Sequence, residues 1–309
     1  MNSASTKQTQ HSAKNNHETN QFSLSVKFNR LMFTLFGKAL PGLMSWWALK
    51  LWSRTRRFPA SAREKRMQLR ASECSLELNG KQIKAWLWGE GPTVLLVHGW
   101  NGRGLQLNRF IDPLLNAGYQ VLCFDAPGHG QTSGQRTQLT EIRDAIESLS
   151  KQQGPFHAAI AHSFGVACLS AAINSGVTIP SIIGISSPGG LSQLIHRYSQ
   201  YMHMPAPTEK ALRERLRQRL GDKLWQDFAT SYPITHHIER SLIIHDKQDR
   251  LVNWQESELL SKHWPNAELI LTEGLGHRRI LFDPSTVNKI VEFIDTTVIC
   301  DSLQDNSNL

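Results

Sequence analysis

Apolar residues recur with two different spacings along the chain, and the two alternate between residues 74 and 296. Short runs such as TVLLV at 93–97 and VLCF at 121–124 are almost wholly apolar, which is typical of parallel strands covered on both faces. Longer stretches between them repeat apolar residues every three or four positions, the spacing of an amphipathic helix. Alternating strands and helices predict an α/β fold with a mostly parallel, doubly wound sheet.

The predicted strands cover residues 74–78, 82–88, 93–97, 121–124, 158–161, 182–185, 242–244 and 268–271. The predicted helices cover residues 105–117, 139–151, the stretch after 163, 255–263 and 287–296. Asn79-Gly80 indicates a tight hairpin turn between the first two strands, because both residues accept a positive φ. Pro113 predicts a kink or a restart within the first of these helices.

One interval interrupts the alternation. No strand is predicted at about 187–240, whereas residues 208–221 read as a helix with Leu212, Leu216 and Leu220 on one stripe and a terminal glycine. An insertion of this length exceeds an ordinary loop. It predicts a helical cap over the carboxyl edge of the sheet.

The ends of the chain differ from this pattern. Residues 1–21 are polar and nearly free of apolar side chains, so a disordered tail is expected, and residues 300–309 form a second polar tail. Residues 22–70 are first apolar and then basic and are expected to be helical. The α/β domain itself is therefore assigned to residues 71–299.

The apolar part of the N-terminal segment, residues 31–52, approaches the length of a membrane span. Lys38, Pro41-Gly42 and Lys50 interrupt it, and such residues are costly in a bilayer core. We therefore expect a pair of amphipathic helices packed on the domain. The alternative is an interfacial anchor, with peripheral membrane contact through residues 31–70.

Charge and cysteine content narrow the functional classes. Eight basic residues and one acid lie between Lys50 and Arg70, so this stretch carries most of the formal net charge of +8. A local basic patch beside an apolar segment favours a membrane surface or a solvated face, and no nucleic-acid module is recognisable, so no nucleic-acid partner is expected. Four widely spaced cysteines indicate neither a disulfide framework nor a zinc site, and they predict a reducing, cytoplasmic setting.

A candidate nucleophile lies where an apolar run ends and a small-residue helix begins. Ser163 is the centre of Ala161-His162-Ser163-Phe164-Gly165, similar to the G-x-S-x-G nucleophile elbow that presents a serine hydroxyl on a strained turn. Ala161 stands where that motif has its first glycine. The alternative is an ordinary connection in which Ser163 only caps the helix.

Four further stretches accompany the elbow, each at the end of a predicted strand. They are HGW at 98–100, FDAPGHG at 124–130, HDKQDRLV at 245–252 and GLGH at 274–277. With these five stretches in order, the chain resembles the α/β-hydrolase fold superfamily over about two-thirds of its length, from Lys81 to Phe293. The resemblance implies the α/β-hydrolase fold with a helical cap.

The resemblance also implies roles for individual residues. Ser163 matches the nucleophile and His277 the base, while Asp249 and Asp246 compete for the acid that orients the base. Asp249 is favoured because it precedes the apolar pair Leu251-Val252, as the family's acid does. The backbone N–H groups of Trp100 and Phe164 would form the oxyanion hole.

Other polar residues near the expected site receive structural interpretations. His98 and His129 are expected to shape loops, and Asp125 is expected to be a turn residue. Arg103, Arg278 and Arg279 are expected to be solvated charges near the mouth of the site, and the alternative is that they bind an acidic group of the substrate.

The resulting hypothesis is a serine hydrolase that cleaves a small-molecule carboxylic ester or thioester through an acyl-enzyme, without cofactor or metal. Ser163 at the elbow argues against the branches that use an aspartate, the dehalogenases and epoxide hydrolases. Carboxylesterase, lipase, thioesterase and carbon–carbon bond hydrolase remain candidate activities. The competing hypothesis is a non-catalytic member of the fold that serves as a binding module at a membrane surface.

Overall fold

A computed structural model describes residues 24–228, 231–236 and 238–305, with side chains up to residue 295. The predicted tail at 1–21 lies outside the described residues. So do the last four residues of the predicted tail at 300–309, whose earlier part continues the C-terminal helix as backbone.

In the described chain, eight strands form one sheet in the order β1-β4-β6-β5-β7-β8-β9-β10, and β2 and β3 form a separate hairpin. The strands are β1 (Ser72–Glu73), β2 (Leu76–Leu78), β3 (Lys81–Ile83), β4 (Ala85–Trp88), β5 (Thr93–Val97), β6 (Gln120–Phe124), β7 (Phe156–His162), β8 (Ser181–Ile185), β9 (Arg240–Asp246) and β10 (Ala267–Thr272). Strands β6, β5, β7, β8, β9 and β10 run parallel, whereas β4 pairs antiparallel with both β1 and β6. The predicted mostly parallel sheet is therefore confirmed.

Helices cover both faces of the sheet. They are α1 (Leu24–Phe36), α2 (Pro41–Trp52), α3 (Ala62–Gln68), α4 (Ile111–Asn116), α5 (Leu139–Gln153), α6 (Phe164–Asn174), α7 (Leu191–Tyr201), α8 (Ala206–Leu220), α9 (Asp222–Phe228), α10 (Trp254–Ser261), α11 (Gly276–Arg279) and α12 (Pro284–Asp305). Successive residues of β5 point to opposite sides, so Leu95 and Val97 pack with α5 and α6. Val94 and Leu96 pack with α4 and α12 in the second core.

Two local predictions take a more detailed form in the structure. Asn79 and Gly80 both have positive φ, as the predicted hairpin turn requires, but the following strand divides at Lys84 into β3 and β4. The helix predicted at 105–117 consists of a 3₁₀ turn at Gly104–Leu107 and then α4. Pro113 lies in the first turn of α4, where its missing N–H would have no partner within the helix.

The helical cap lies between β8 and β9, as predicted, and includes α7, α8 and α9. Helix α8 ends at Leu220, and Gly221 follows with a φ of 84°. The N-terminal hairpin, formed by α1 and α2, packs on this cap rather than on the sheet. A shared core joins Phe33, Met44 and Ala48 of the hairpin to α7 and α8.

Hydrogen bonds fix the hairpin to the cap. The Thr208 hydroxyl donates to the Gly37 carbonyl, and the Tyr198 hydroxyl donates to the Ala48 carbonyl. Arg215 donates to Ser45 Oγ. Among the described helices, none is both long and apolar enough to cross a bilayer.

Candidate active site

The candidate residues meet at the carboxyl edge of the parallel sheet. Trp100 follows β5, Ser163 follows β7, Asp249 follows β9 and His277 follows β10. Strands β5, β7, β8, β9 and β10 are consecutive neighbours in the sheet, and parallel strands end at one edge. The topology therefore collects side chains that are up to 177 positions apart, from Trp100 to His277.

Ser163 occupies a strained turn between β7 and α6. Its φ of 53° and ψ of −127° lie in a region that residues other than glycine rarely adopt. Glycines allow this turn to approach its neighbour: a Cβ on Gly165 would lie 2.6 Å from the His98 carbonyl oxygen, and one on Gly99 would lie 2.9 Å from Ser163 Cβ. Ala161 is fully buried in β7 and does not prevent the strained turn.

Ser163, His277 and Asp249 form one hydrogen-bonded chain. His277 Nε2 lies 3.1 Å from Ser163 Oγ, and His277 Nδ1 lies 2.7 Å from Asp249 Oδ2. The side chain of Asp249 is fully buried, and that of His277 is 11% exposed. The chain thus runs from a buried carboxylate to the serine hydroxyl.

The Asp249 carboxylate is held in its charged form. Its Oδ1 accepts hydrogen bonds from the N–H groups of Leu251 and Val252. Burial favours the neutral acid, but hydrogen bonds from His245 and His277 outweigh it and hold the pKa of Asp249 well below its usual range. A permanent negative charge therefore faces His277 Nδ1.

Asp246, the competing acid, serves the adjacent loop instead. Its Oδ2 accepts hydrogen bonds from the Thr272 hydroxyl and the Leu275 N–H, and its Oδ1 accepts one from the Gln248 N–H. Burial raises the pKa of Asp246, but the hydrogen bonds from backbone N–H groups lower it by a larger amount, so its pKa lies below the usual value. Asp246 thus ties the His277 loop to β10, with no hydrogen bond to His277 itself in the described chain.

Two histidines that the sequence analysis did not single out lie beside this chain. His245 Nε2 is 3.2 Å from Asp249 Oδ2, and its Nδ1 is 2.6 Å from Ser257 Oγ. His162 Nε2 donates to the His277 carbonyl oxygen over 2.9 Å, and burial lowers the pKa of His162 to about 3. The sequence signal that could have identified His245 as a site residue was a polar side chain at an inward position of strand β9, directly after an apolar run.

Neutral histidines also fix the loop that carries Trp100. His98 Nε2 accepts the Ala126 N–H and His129 Nε2 accepts the Asn101 N–H, each over 3.0 Å. Burial is the main cause that lowers the pKa of His98 to about 4 and that of His129 to about 3. Both rings are therefore neutral at pH 7, and the expected loop-shaping role is confirmed.

Two backbone donors lie next to the serine. Phe164 is the first residue of α6, so its N–H has no partner within the helix. Among the described residues, no hydrogen bond is formed by the Trp100 N–H. The rings of Trp100 and Phe164 touch edge to face with centroids 5.5 Å apart, which couples the two loops.

A cavity of about 450 Å³ opens onto Ser163. It is lined by polar Asn101 and Arg197 and by a set of apolar side chains, namely Trp52, Trp100, Phe164, Pro188, Leu194 and Val252. Arg54 and Arg56 also line it, from the basic stretch that the sequence analysis assigned to a membrane surface or a solvated face. Of the arginines expected near the mouth, Arg103 binds Glu64 and Arg279 donates to the Leu275 carbonyl, whereas Arg278 is exposed, as expected of a solvated charge.

Comparisons with known proteins agree on the fold. A family model described as "Alpha/beta hydrolase family" matches residues 94–290. A human protein described as "Serine hydrolase-like protein" is 32% identical over 104 residues. That match covers 30% of this chain and 49% of the human protein, so the chain spans about half the length of this curated relative.

Solved structures extend the likeness over most of the chain. Alpha/beta hydrolase domain-containing protein 10 from mouse has a TM-score of 0.58 and 18% identity, covering 75% of this chain and 100% of its own. An esterase from Pyrococcus furiosus has a TM-score of 0.58 and 20% identity, covering 78% of this chain and 98% of its own. At these identities the likeness is one of fold.

Proposed function

The chain belongs to the alpha/beta hydrolase family, and from this premise we propose that it is a serine hydrolase that cleaves a carboxylic ester or thioester. The observation that carries the proposal is the hydrogen-bonded chain from Asp249 through His277 to the strained Ser163. A serine that only capped α6 would need neither the buried carboxylate nor the imidazole. Ser163 does not act as an N-cap of α6 either, since its side chain forms no hydrogen bond to the first turn of that helix.

In the first half-reaction, Ser163 Oγ attacks the carbonyl carbon while His277 Nε2 takes the hydroxyl proton. The carbon–oxygen or carbon–sulfur bond then breaks, and the protonated His277 returns the proton to the leaving alcohol or thiol. The products of this step are an acyl ester on Ser163 and the free leaving group. Water, deprotonated by His277, attacks the ester in the second half-reaction and releases the acid.

Asp249 and the backbone donors have separate tasks in this scheme. Asp249 keeps the Nδ1 proton on His277 and stabilises the imidazolium that forms when Nε2 is protonated. The N–H groups of Trp100 and Phe164 would bind the oxyanion of the tetrahedral intermediate, a contribution that is typically worth about 10² to 10³ in rate for one donor. The apolar side chains that line the cavity would pack against the acyl chain.

The test is labelling of the purified protein with a fluorophosphonate probe, followed by hydrolysis of p-nitrophenyl esters of increasing chain length. Ser163→Ala is expected to abolish labelling, and His277→Ala to reduce it strongly. Ser175→Ala is the matched control, because its hydroxyl only donates to the Ala171 carbonyl at the end of α6. Folded protein that neither labels nor hydrolyses esters would rule out a serine hydrolase.

A second candidate function is recruitment to a membrane surface, with or without catalysis. The outward side of the N-terminal hairpin exposes large apolar side chains, among them Phe28, Leu31, Leu35, Leu43 and Trp46, each between 45% and 60% exposed. Packing on the cap leaves this side uncovered in the described chain, so the packed hairpin is also compatible with an interfacial anchor. Interfacial helices present such a face, with basic residues nearby, to anionic lipid.

Flotation with phosphatidylglycerol-containing vesicles tests this candidate. Leu31→Ser combined with Leu35→Ser should abolish flotation, whereas Phe282→Ser, which removes a 41% exposed side chain elsewhere, should not. Equal flotation of the wild type, the Leu31→Ser/Leu35→Ser variant and the Phe282→Ser variant would contradict recruitment through the hairpin. We propose the cytoplasm as the compartment, a choice supported by the free thiols of Cys74, Cys123 and Cys168.

A further inference from the structure

We propose that Arg54 and Arg56 form a phosphate-binding mouth of the Ser163 cavity, so that the substrate is an ester or thioester whose leaving group carries phosphate. This inference rests on the proposed hydrolase function and names the class of substrate for the same site. The shared chemistry is a phosphate group on the alcohol or thiol part, in a soluble nucleotide-linked thiol or in a lipid headgroup.

The first observation is that two cavities meet at these arginines. The cavity at Ser163 and an outer cavity of about 550 Å³ have Leu51, Arg54, Arg56, Tyr198 and Tyr201 in common. The shared lining indicates one continuous groove that leads from the serine past the two guanidinium groups. Its combined size matches a ligand considerably larger than a simple ester.

The second observation is that the backbone beneath the arginines is fixed. Residues 53–57, here called the strap, begin with a turn at Ser53 and an antiparallel bridge between Arg54 and Arg136, and they lie against the loops that follow β5 and β6. The strap pairs with the loop at 135–137 through the Thr55 N–H, which donates to the Gln135 carbonyl, and the Ser53 carbonyl, which accepts the Thr137 N–H. The Arg56 N–H donates to Asn101 Oδ1, in the loop that carries Trp100.

Hydrogen bonds separate the side chains of the strap into two groups. The Thr55 hydroxyl donates to the Gly128 carbonyl, and the Arg57 guanidinium donates to the carbonyls of Thr132 and Gly134, although both residues also line the outer cavity. Within residues 53–57, Arg54 and Arg56 are the residues that line both cavities.

The third observation is that these two charges lack protein partners. In the part of the chain that the structure describes, no carboxylate forms an ion pair with Arg54 or Arg56, and no acidic residue lines either cavity. By contrast, Arg197 binds Glu256 and Arg103 binds Glu64, and Arg57, which also lines the outer cavity, donates to backbone carbonyls. An anion that entered the groove would meet two guanidinium groups without displacing a carboxylate.

The difference between the two linings indicates which part of the substrate carries the anion. Most residues that line the Ser163 cavity alone are apolar, whereas Arg54 and Arg56 line both cavities, so we place the acyl chain beside the apolar side chains and the leaving group beside the arginines. Guanidinium groups suit phosphate because their planar donors form paired, charge-assisted hydrogen bonds with its oxygens. A substrate with an apolar acyl chain and a phosphate on its leaving group therefore matches both parts of the groove.

The experiment compares a thioester whose leaving thiol carries phosphate with a truncated thioester whose leaving thiol carries none. The ratio of kcat/KM for octanoyl-coenzyme A to kcat/KM for S-octanoyl-N-acetylcysteamine is measured in wild type and in the double variant Arg54→Gln/Arg56→Gln. We expect the ratio to fall about tenfold in the variant, since each solvent-facing contact is worth a factor of a few. Arg66→Gln/Arg109→Gln, which removes two exposed charges outside the groove, should leave the ratio unchanged.

Binding is measured separately so that catalysis is not required. Coenzyme A is titrated into Ser163→Ala protein by calorimetry, with dioctanoyl phosphatidic acid and dioctanoylglycerol as a lipid pair. Binding of coenzyme A or of phosphatidic acid, weakened about tenfold by the Gln substitutions, supports the phosphate mouth and identifies its source. If coenzyme A or phosphatidic acid binds in a phosphate-dependent way but the wild-type protein cleaves no ester or thioester, the proposed hydrolase activity is refuted and the proposed phosphate-binding mouth is retained.

The opposite pattern would overturn the inference. Equal cleavage of both thioesters in wild type, with no binding of coenzyme A or phosphatidic acid, would show a hydrolase without a phosphate site. An equal loss of the kcat/KM ratio in Arg66→Gln/Arg109→Gln would show that overall charge, and not the mouth, attracts the substrate.

Discussion

Replacing Asp249 by asparagine tests which acid orients His277. The substitution preserves shape, and the asparagine oxygen in the place of Oδ1 still accepts the N–H groups of Leu251 and Val252. The amide nitrogen replaces Oδ2, which lies 2.7 Å from His277 Nδ1. Because that nitrogen donates, it favours the tautomer with the proton on Nε2, which faces Ser163 Oγ and cannot accept its proton.

The size of the effect follows from the same geometry. A carboxylate and an imidazolium with charge centres about 4 Å apart attract each other by about 4 kcal/mol at an effective dielectric constant of 20. Asp249 is fully buried, so solvent does not screen this attraction. Loss of the attraction and of the correct tautomer together is expected to reduce kcat/KM by about 10⁴-fold.

Asp246→Asn is the matched control. Its carboxylate bonds to Thr272, Leu275 and Gln248 and not to His277, so we expect less than a tenfold loss in kcat/KM once the folded fraction is equalised. The assay is p-nitrophenyl butyrate hydrolysis with the fluorophosphonate labelling rate, and circular dichroism checks folding. The reasoning fails if Asp249→Asn retains a tenth of the activity or if Asp246→Asn loses as much.

Three further outcomes are expected. Because His98, His129 and His162 are buried and neutral, with pKa values of about 4, 3 and 3 against about 6.5 unfolded, the unfolded chain binds more protons below pH 6.5. The stabilisation from these three neutral histidines should be full above that pH, and the free energy of unfolding should fall by up to about 4.1 kcal/mol per pH unit toward pH 4.5, measured by urea titration. Gly165→Ala should cost about 1–3 kcal/mol and slow labelling of the serine, because the new Cβ would lie 2.6 Å from the His98 carbonyl oxygen. Phe33→Ala should destabilise the hairpin and cap by about 3–5 kcal/mol in thermal unfolding, since the ring is fully buried there.

Matched variants distinguish these effects from general damage. Gly42→Ala adds a Cβ with nothing within 4 Å, and Phe36→Ala removes a ring that is 40% exposed. Both should change stability by less than about 0.5–1 kcal/mol. A urea midpoint that is the same at pH 7.5 and pH 5 would contradict the neutral-histidine interpretation.

Local signals in the sequence were sufficient for the sheet and for the elbow. A run such as residues 93–97 has a polar residue only at its first position, Thr93, so it has to be covered on both faces, and the structure contains it as β5. Small residues around Ser163 allow only a few turns between a strand and a helix. The choice between Asp246 and Asp249 came from the family resemblance, because nothing local distinguishes the two acids.

His245 shows where local signals stop. Its neighbours Ile243 and Ile244 made the strand evident, but the partner of its Nδ1 is Ser257, on a helix twelve positions later. The sequence gives the polarity of such a residue and not the group that it meets. Contacts between the loops at one edge of a sheet are set by the strand order, which a single sequence does not reveal.

The strap shows the same limit, because its composition indicates only a basic patch. Its arginines were interpreted as part of a basic patch, since charge counts ignore which side chains the fold pairs and which it leaves facing a cavity. The partners of the strap side chains are carbonyl groups of the loop at 128–134, more than seventy positions away.

The strap and the hairpin also precede residue 94, where the family match begins. The family match spans Ser163, Asp249 and His277, whereas Trp52, Arg54 and Arg56, which line the groove, precede it. Substrate choice should accordingly follow changes in the N-terminal segment while the labelling of Ser163 follows changes in the family domain.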